Sequence, residues 1–578
     1  MHKVHPFLQI HLIDDQLEIN YLVRNIESDL MTAIVKISFI FGCSLFLNFA
    51  LRAQVTFQKT FGGISTDYAY AVQQTKDEGY IIAGYTISFG EGNRDAYLIR
   101  TDVNGETLWT KTYGGSNTDY AWTVQQTKDD GFIFGAHSGS FGAGSHDVYL
   151  VKSDLSGNII WSRVYGGSNA DGAYSLQQTT DGGIIIGAHV NSFGAGQHDV
   201  YLIKIKNNGD TSWTKTFGGS GEDRFRELHQ TADGGFILVS ETLSFGAGNS
   251  DVYLIKTDSI GNLLWTKTYG GNASDYGYSV RQTSDGGYII AGYTQSFGAG
   301  GTDVYIIKTD SSGNLDWTKS YGGSSADYGY SVRQTTDGGY IVAGYTESFG
   351  VAGDVYLIRI DADGDLIWSK VFGGSQTDYC WSVRQTVDGG FILAGYTRSF
   401  GSGNEDVYLI KTDQLGNSGC NESIAATIGN NTATIVSNST PTIIGGGGQI
   451  NSTTTVVNTA ATIDSFLCRN IPTGIDQSED GSDTNPYQFN LFQNYPNPFN
   501  PGTLISYTLP AGGNVSLKIY DSLGREILTL VDEYKQAGSY EVRFENEHLP
   551  SGLYFYKLNA GFPGGQTFIE TKKMVLIK

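Results

Sequence analysis

Basic charge is what this chain is short of. Its 37 Lys and Arg stand against 59 Asp and Glu, a formal net charge of −22, and only 17 % of its residues are charged. So acidic a surface argues against a nucleic-acid partner, whose phosphates are held by Lys and Arg. It suits an extracellular surface or cation binding. Helical periodicity is also missing: no stretch of the repeats described below keeps an apolar face at 3.6-residue spacing over 11 residues or more. Long apolar runs stop before residue 54, and no later one could cross a bilayer as a helix. There is no Ser nucleophile elbow, no P-loop and no H-E-x-x-H stretch. Cysteine is down to four residues, few enough to place one by one.

What the chain has in plenty is glycine, 77 residues, and aromatics, at 13 %. This composition belongs to all-β secreted proteins rather than to disorder. A phrase of about 52 residues recurs, with Trp109, Trp161, Trp213, Trp265, Trp317 and Trp368 in the same place and Phe57 in a first, partial copy. A period of this size marks one repeated supersecondary unit. In the copy 275–323, four short β-branched and aromatic runs (276–283, 287–294, 303–310 and 314–321) are cut apart by Gly, Asp, Ser and Asn. Such runs read as strands, and the clusters between them as tight hairpin turns. Four-stranded sheets that are apolar on both faces must be covered on both sides, which seven sheets around an axis achieve: a β-propeller. The array opens with an outer-strand phrase alone, 55–63, and closes after a third strand, 406–413. The first strand is therefore expected to complete the seventh blade and remove the exposed edges. The runner-up, an open β-solenoid, would not need this split copy.

Around the propeller, 55–418, the chain divides further. Residues 31–53 read as a secretory signal peptide ending at Ala53. The 30 residues before Met31 fit no such pattern and read as a gene-call extension. Cys43 leaves with the signal peptide. Cys380 stands where other copies have Ala69, Ala121, Ala173 or Gly277, which reads as a small core position. Cys420 and Cys468 bracket a Thr/Ser/Asn-rich β segment, 419–469, expected to form a small hairpin or extra strands. In an exported chain these two cysteines are expected to form a disulfide. An acidic linker, 470–490, leads to a final β module, 491–578, with strands read at 503–509, 514–520, 526–531, 539–544, 552–558 and 571–577.

That last module carries a resemblance. NYPNPFNPGTLISYTLP (494–510), VSLKIYDSLGREILTLVDEYKQAGSYEVRF (515–544), LPSGLYFYKLNAG (549–561) and TKKMVLIK (571–578) resemble, in this order, the type A C-terminal sorting domain of the type IX secretion system. The resemblance implies a small immunoglobulin-like β-sandwich acting as an export address. It further implies contact with the type IX machinery and passage through the outer membrane, with release or surface attachment. The phrase WTKTYGG, DGGYIIAGYT, DVYLIKTD also resembles a kelch-like ring repeat of exported proteins that carry this tail. No activity is securely tied to that repeat, although some such chains are labelled endoglucanase-like.

Candidate site residues are sought where the copies differ. Repeated acids such as Asp275, Asp285, Asp303 and Asp310 could hold Ca²⁺ through many oxygens. Their turn positions favour the plainer role of capping backbone N–H groups, and no other cofactor is expected. Five of the nine histidines fall in copies two to four. His137 and His189 replace the Tyr of other copies, the same place holds Glu241 in copy four, and His146 and His198 precede the third strand. Arg224 and Arg226 replace aromatics in the first strand of copy four. All seven should share one face. They form either a polar binding site, with His and Glu as metal ligands or acid/base groups, or rings packed between blades. Packing is favoured, because equivalent positions on adjacent blades diverge while zinc needs donors at ~2.0–2.2 Å. A glycosidase would need two carboxylates ~5–9.5 Å apart. Asp223 with Glu241 or Glu227 is the only asymmetric pair. Aromatic rows such as Tyr276, Tyr278 and Phe297 could stack sugar rings, but filling the space between blades is favoured. The expected function is that of a secreted or cell-surface propeller binding a polysaccharide or surface protein. The alternative is a secreted carbohydrate-active hydrolase.

Overall fold

A computed structural model describes residues 54–439 without a break, the strands between 442 and 470, and most of 490–576. The signal peptide, the 1–30 extension and the linker lie outside the described residues. The chain is all-β and divides into two units, 1–473 and 474–578.

The first unit is a seven-bladed propeller. Blade five is typical, with strands Asp275–Gln282, Tyr288–Thr294, Asp303–Thr309 and Leu315–Gly322 in order from the axis outward. Its second and third strands are buried almost throughout, as strands sandwiched between neighbours must be. Seven apolar clusters, one between each pair of adjacent blades, hold the ring together among the described residues. The closure is that of the split copy: Thr56–Gly62 pairs antiparallel with Asp406–Thr412, with Phe57 opposite Lys411 and Phe61 opposite Val407. The first strand thereby supplies the outer position of blade seven.

Turn chemistry repeats from blade to blade. The Asp that opens each inner strand is a turn lock: Asp275 Oδ2 accepts from Gly271 N at 2.7 Å and Ser296 Oγ at 2.7 Å. The Asp of the second turn pairs with a buried cation of the third strand, as Asp285 does with Lys308 Nζ at 2.8 Å.

Among the described residues, the segment after the propeller forms extra strands and no hairpin of its own. Its strands Glu422–Ile424, Ile428–Asn431, Ile435–Asn438, Thr442–Gly445, Gln449–Ser452, Val456–Thr459 and Ile463–Asn470 each pair antiparallel with a different blade, on blades six, five, four, three, two, one and seven in turn. Every blade gains a fifth, outermost strand, and the segment is a belt around the whole disc. The register advances seven residues per blade: Gly322, Gly270, Gly218, Gly166, Gly114 and Gly62 lie opposite Ile428, Ile435, Thr442, Gln449, Val456 and Ile463. A Cys420–Cys468 disulfide joins the two ends. Both ends meet the closing strand at Gln58, whose Nε2 donates to the Cys420 carbonyl while its backbone lies opposite Cys468. Cys380 is buried in the core between blades six and seven.

The second unit is a two-sheet sandwich. One sheet holds Asn490–Leu491, Gly502–Leu509 and Gly538–Glu545; the other holds Gly513–Asp521, Glu526–Lys535, Gly552–Gly561 and Thr567–Leu576. Alternate residues of both, among them Ile505, Tyr507, Leu517, Ile519, Tyr556 and Met574, make a common core. Period-two alternation is what a sheet with one buried face requires.

Candidate functional site

The inner strands carry the feature on which the site depends. Each has a register break after its third residue, as between Gly277 and Ser279, and the break recurs in all seven. A bulge leaves one residue outside the ladder and re-aims its side chain. Here the fourth residue of each strand is released towards the axis. Tyr70 stacks on Trp122 at 3.8 Å between ring centroids, and Trp122 meets Tyr174 at 4.9 Å. Arg226 lies 5.9 Å from the Tyr174 ring and 4.5 Å from that of Tyr278. Tyr278 meets Tyr330 at 5.1 Å, Tyr330 stacks on Trp381 at 4.4 Å, and Trp381 returns to Tyr70 at 5.7 Å. Six aromatic rings and one guanidinium thus form a closed collar around a cavity of about 150 Å³. At ~10–15 Å³ of such space per water, it has room for a cluster of waters or a small ligand.

The fifth and seventh residues continue the wall. The fifth positions are mostly small hydroxyls, Ser175, Ser331 and Ser382 among them, with Glu227 as the exception in blade four. The seventh positions are divided: Gln73, Gln125 and Gln177 on blades one to three, His229 on blade four, and Arg281, Arg333 and Arg384 on blades five to seven. The glutamines stitch blades together, each accepting the backbone N–H of the next blade's last inner-strand residue at 2.6–2.8 Å. Arginine cannot accept, so its half of the ring has another purpose.

Glu227 is saturated. Its carboxylate accepts from Ser279 Oγ at 2.6 Å, Val280 N at 3.0 Å, the Arg281 guanidinium and Arg333 at 3.2 Å. Arg384 donates to the Val383 carbonyl at 3.0 Å, and among the described residues no carboxylate lies within ion-pair distance of it. Burial, with Arg281 nearby, pulls its guanidinium down to about 9. The same two causes bring His229 down to about 4. Trp122 Nε1, Trp381 Nε1, Arg226 Nε and Arg333 Nε are buried donors without an acceptor. The wall is rich in donors and poor in acceptors.

The residues singled out by their departure from the repeat lie on the side walls of the same blades. His137 and His189 are 5.7 Å apart between ring centroids, and His189 and His198 are 5.2 Å apart. His146 packs on Tyr120 at 6.2 Å. His137 fills the space opened by Gly172, where a Cβ would come within 2.4 Å of its ring. Burial, then the neighbouring His146, holds it neutral down to about pH 3. Glu241 is buried and pairs with Arg226 at 3.2 Å, while Arg224 pairs with Glu222 at 2.8 Å. Among the described residues no group of three or more His, Cys, Asp or Glu is placed to hold a metal ion. Asp223 is fully buried in the turn lock of blade four, accepting from Gly219 N and Ser244 Oγ at 2.7 Å each. Of the aromatic rows, Phe297 packs inside the blade on Tyr305, whereas Tyr278 belongs to the collar. Tyr278 packs against the adjacent blades through Tyr330 and Arg226, as expected of rings that fill the space between blades, and it also lines the cavity. Nothing in the 52-residue phrase announces the bulge; the clue was that polarity at the seventh position changes halfway round.

The fold is that of an all-β propeller protein with a sandwich domain at its C-terminal end. Residues 493–576 of that end match the secretion system C-terminal sorting domain family. This identifies an export address, supports a route through the type IX secretion system, and indicates a secreted or cell-surface protein. No helix among the described residues is long and apolar enough to cross a membrane. Among curated proteins, the chain is 26 % identical over 174 residues to the regulatory protein FlaEY of Caulobacter vibrioides, covering 26 % of this chain and 18 % of that one. It thus spans less than a fifth of that relative. Among solved structures it is similar to an alpha-L-arabinanase of Penicillium chrysogenum complexed with arabinobiose (13 % identity, TM-score 0.36, covering 51 % of this chain and 94 % of that one). It is also similar to Sqt1 of Chaetomium thermophilum (11 %, TM-score 0.35, 61 % and 98 %) and to an endo-1,5-alpha-L-arabinanase of Thermotoga petrophila (10 %, TM-score 0.24, 61 % and 99 %). No activity follows from likenesses of this degree.

Proposed function

We propose that the chain is an exported binding protein that seats a sugar residue of an extracellular glycan in the axial cavity of its propeller. The observation that supports this is the collar: six aromatic rings and one guanidinium line a cavity of about 150 Å³. Aromatic C–H edges and rings suit the apolar parts of a sugar, and the spare N–H donors suit its oxygens. The reading includes no catalytic step. A hydrolase would need two carboxylates free to act on one bond, but Asp223 holds a turn and Glu241 and Glu227 hold arginines. The test is tryptophan fluorescence of the purified protein titrated with a glycan panel, since Trp122 and Trp381 line the cavity. At least one glycan should shift the emission, and Trp381→Ala should weaken its binding tenfold or more. Binding that survives both Trp122→Ala and Trp381→Ala would place the ligand elsewhere. Cleavage of any glycan that is lost in Glu241→Gln would favour the hydrolase.

A further inference from the structure

We infer that the arginine side of the axial cavity is an anion seat, and that the ligand is an acidic sugar whose carboxylate docks on Arg384 while its ring lies against the collar. This rests on the axial cavity being the binding site.

Three guanidiniums, from Arg281, Arg333 and Arg384, meet at one side of the channel, and the single carboxylate among them, Glu227, already takes four donors. Three positive charges against one negative leave an excess inside a chain whose net charge is −22. Arg281 and Arg333 pair with Glu227 across blades, which leaves Arg384 as the uncompensated charge, at a strand position that blades one to three fill with neutral glutamines bonding the next blade. Burying a guanidinium without a counter-charge is costly, so a site that keeps one has a use for it. A guanidinium offers a planar fork of donors matched to a carboxylate. Arg384 and Arg333 line the same cavity as Trp381 and Tyr330, so one ligand can reach both the aromatic collar and the free charge. The unpartnered donors of Trp122, Trp381 and Arg333 call for acceptors too. Of the sugar classes, a uronate supplies an apolar ring face, hydroxyls and a carboxylate together.

The test compares galacturonate, its methyl ester, galactose and inorganic sulfate by tryptophan fluorescence on the whole protein. Ester and acid share a ring and differ in charge, so this comparison needs no variant. Galacturonate is expected to bind about tenfold or more tighter than its ester, the worth of one charge-assisted hydrogen bond. Arg384→Gln should lower galacturonate affinity to that of the ester and leave ester binding within twofold, while Arg384→Lys should restore part of the difference. Without ligand, Arg384→Gln should melt no lower than the native protein, because it removes an uncompensated charge. Equal binding of acid and ester would overturn the anion seat and leave sugar binding at the collar intact. Sulfate binding as tightly as galacturonate would overturn the acidic-sugar assignment and leave only a bare oxyanion site. Absence of galacturonate binding at millimolar concentration would overturn the inference, whatever neutral glycans do.

Discussion

Glu227 shows how a single departure from a repeat acquires meaning. Glu227 is the only acid at its strand position, and four donors converge on it. Glu227→Gln should therefore destabilise the propeller by about 3 kcal/mol or more, the cost of stranding buried guanidiniums. Urea unfolding followed by circular dichroism measures it, and a change below 1 kcal/mol would mean that the cluster is solvated. The aspartates that open neighbouring strands give a pH test. Asp406 and Asp67 flank Gly62, and burial, with Asp67 nearby, pushes Asp406 up to about 6. A carboxyl whose folded value is raised stabilises fully below its unfolded value near 4, and that contribution is lost as pH rises through 6. Asp406→Asn copies the protonated form and can still accept from Gly403 N, as Asp406 Oδ2 does at 2.9 Å. The variant should match the native protein near pH 4 and melt higher than it at pH 8. A melting difference that does not change with pH would disprove the assignment.

At the scale of elements, the belt is the main departure from expectation. Its strands are only three to eight residues long, too short to hold together on their own. What places them is the outer edge of each blade, which offers unpaired backbone groups that a new strand can take up. The advance of seven residues per blade has a visible trace in Val436, Ile443, Ile450 and Val457. That trace could be read only by someone who already knew that seven edges were waiting. The disulfide makes the belt a closed hoop of 48-residue separation around the disc. On the chain-entropy account a loop of this size is worth about 4 kcal/mol. Cys468→Ser, or a reductant on the native protein, should lower unfolding stability by that order and leave tryptophan emission unchanged. Unfolding curves that coincide with and without reductant would refute this. Cys380 is buried and serves as an internal control for thiol reagents.

At the scale of the whole molecule, the two units have separate cores. The sandwich core is drawn from 491–576, and every inter-blade cluster from residues before 470. A chain ending at Thr473 should fold, keep the melting temperature of the propeller and bind the same ligands, but fail to be exported. Differential scanning calorimetry with a secretion assay checks it. A truncated propeller that melts more than about 5 °C lower would show that the units stabilise each other, a shift on the order of 4 kcal/mol for a domain of this size.

The amino-acid sequence by itself determined the seven blades, their closure by the first strand and the sandwich at the end. The blades and their closure rest on local turn chemistry and strand patterning, repeated often enough to be counted, and the sandwich on the resemblance of residues 494–578 to a sorting domain. The tertiary structure alone decided the collar, the crowding of three arginines around Glu227 and the path of the belt. These arise where residues 52, 106 or several hundred positions apart come to share an axis or a rim. One copy of the phrase specifies a sheet, but the space enclosed when seven sheets close is a property of none of them.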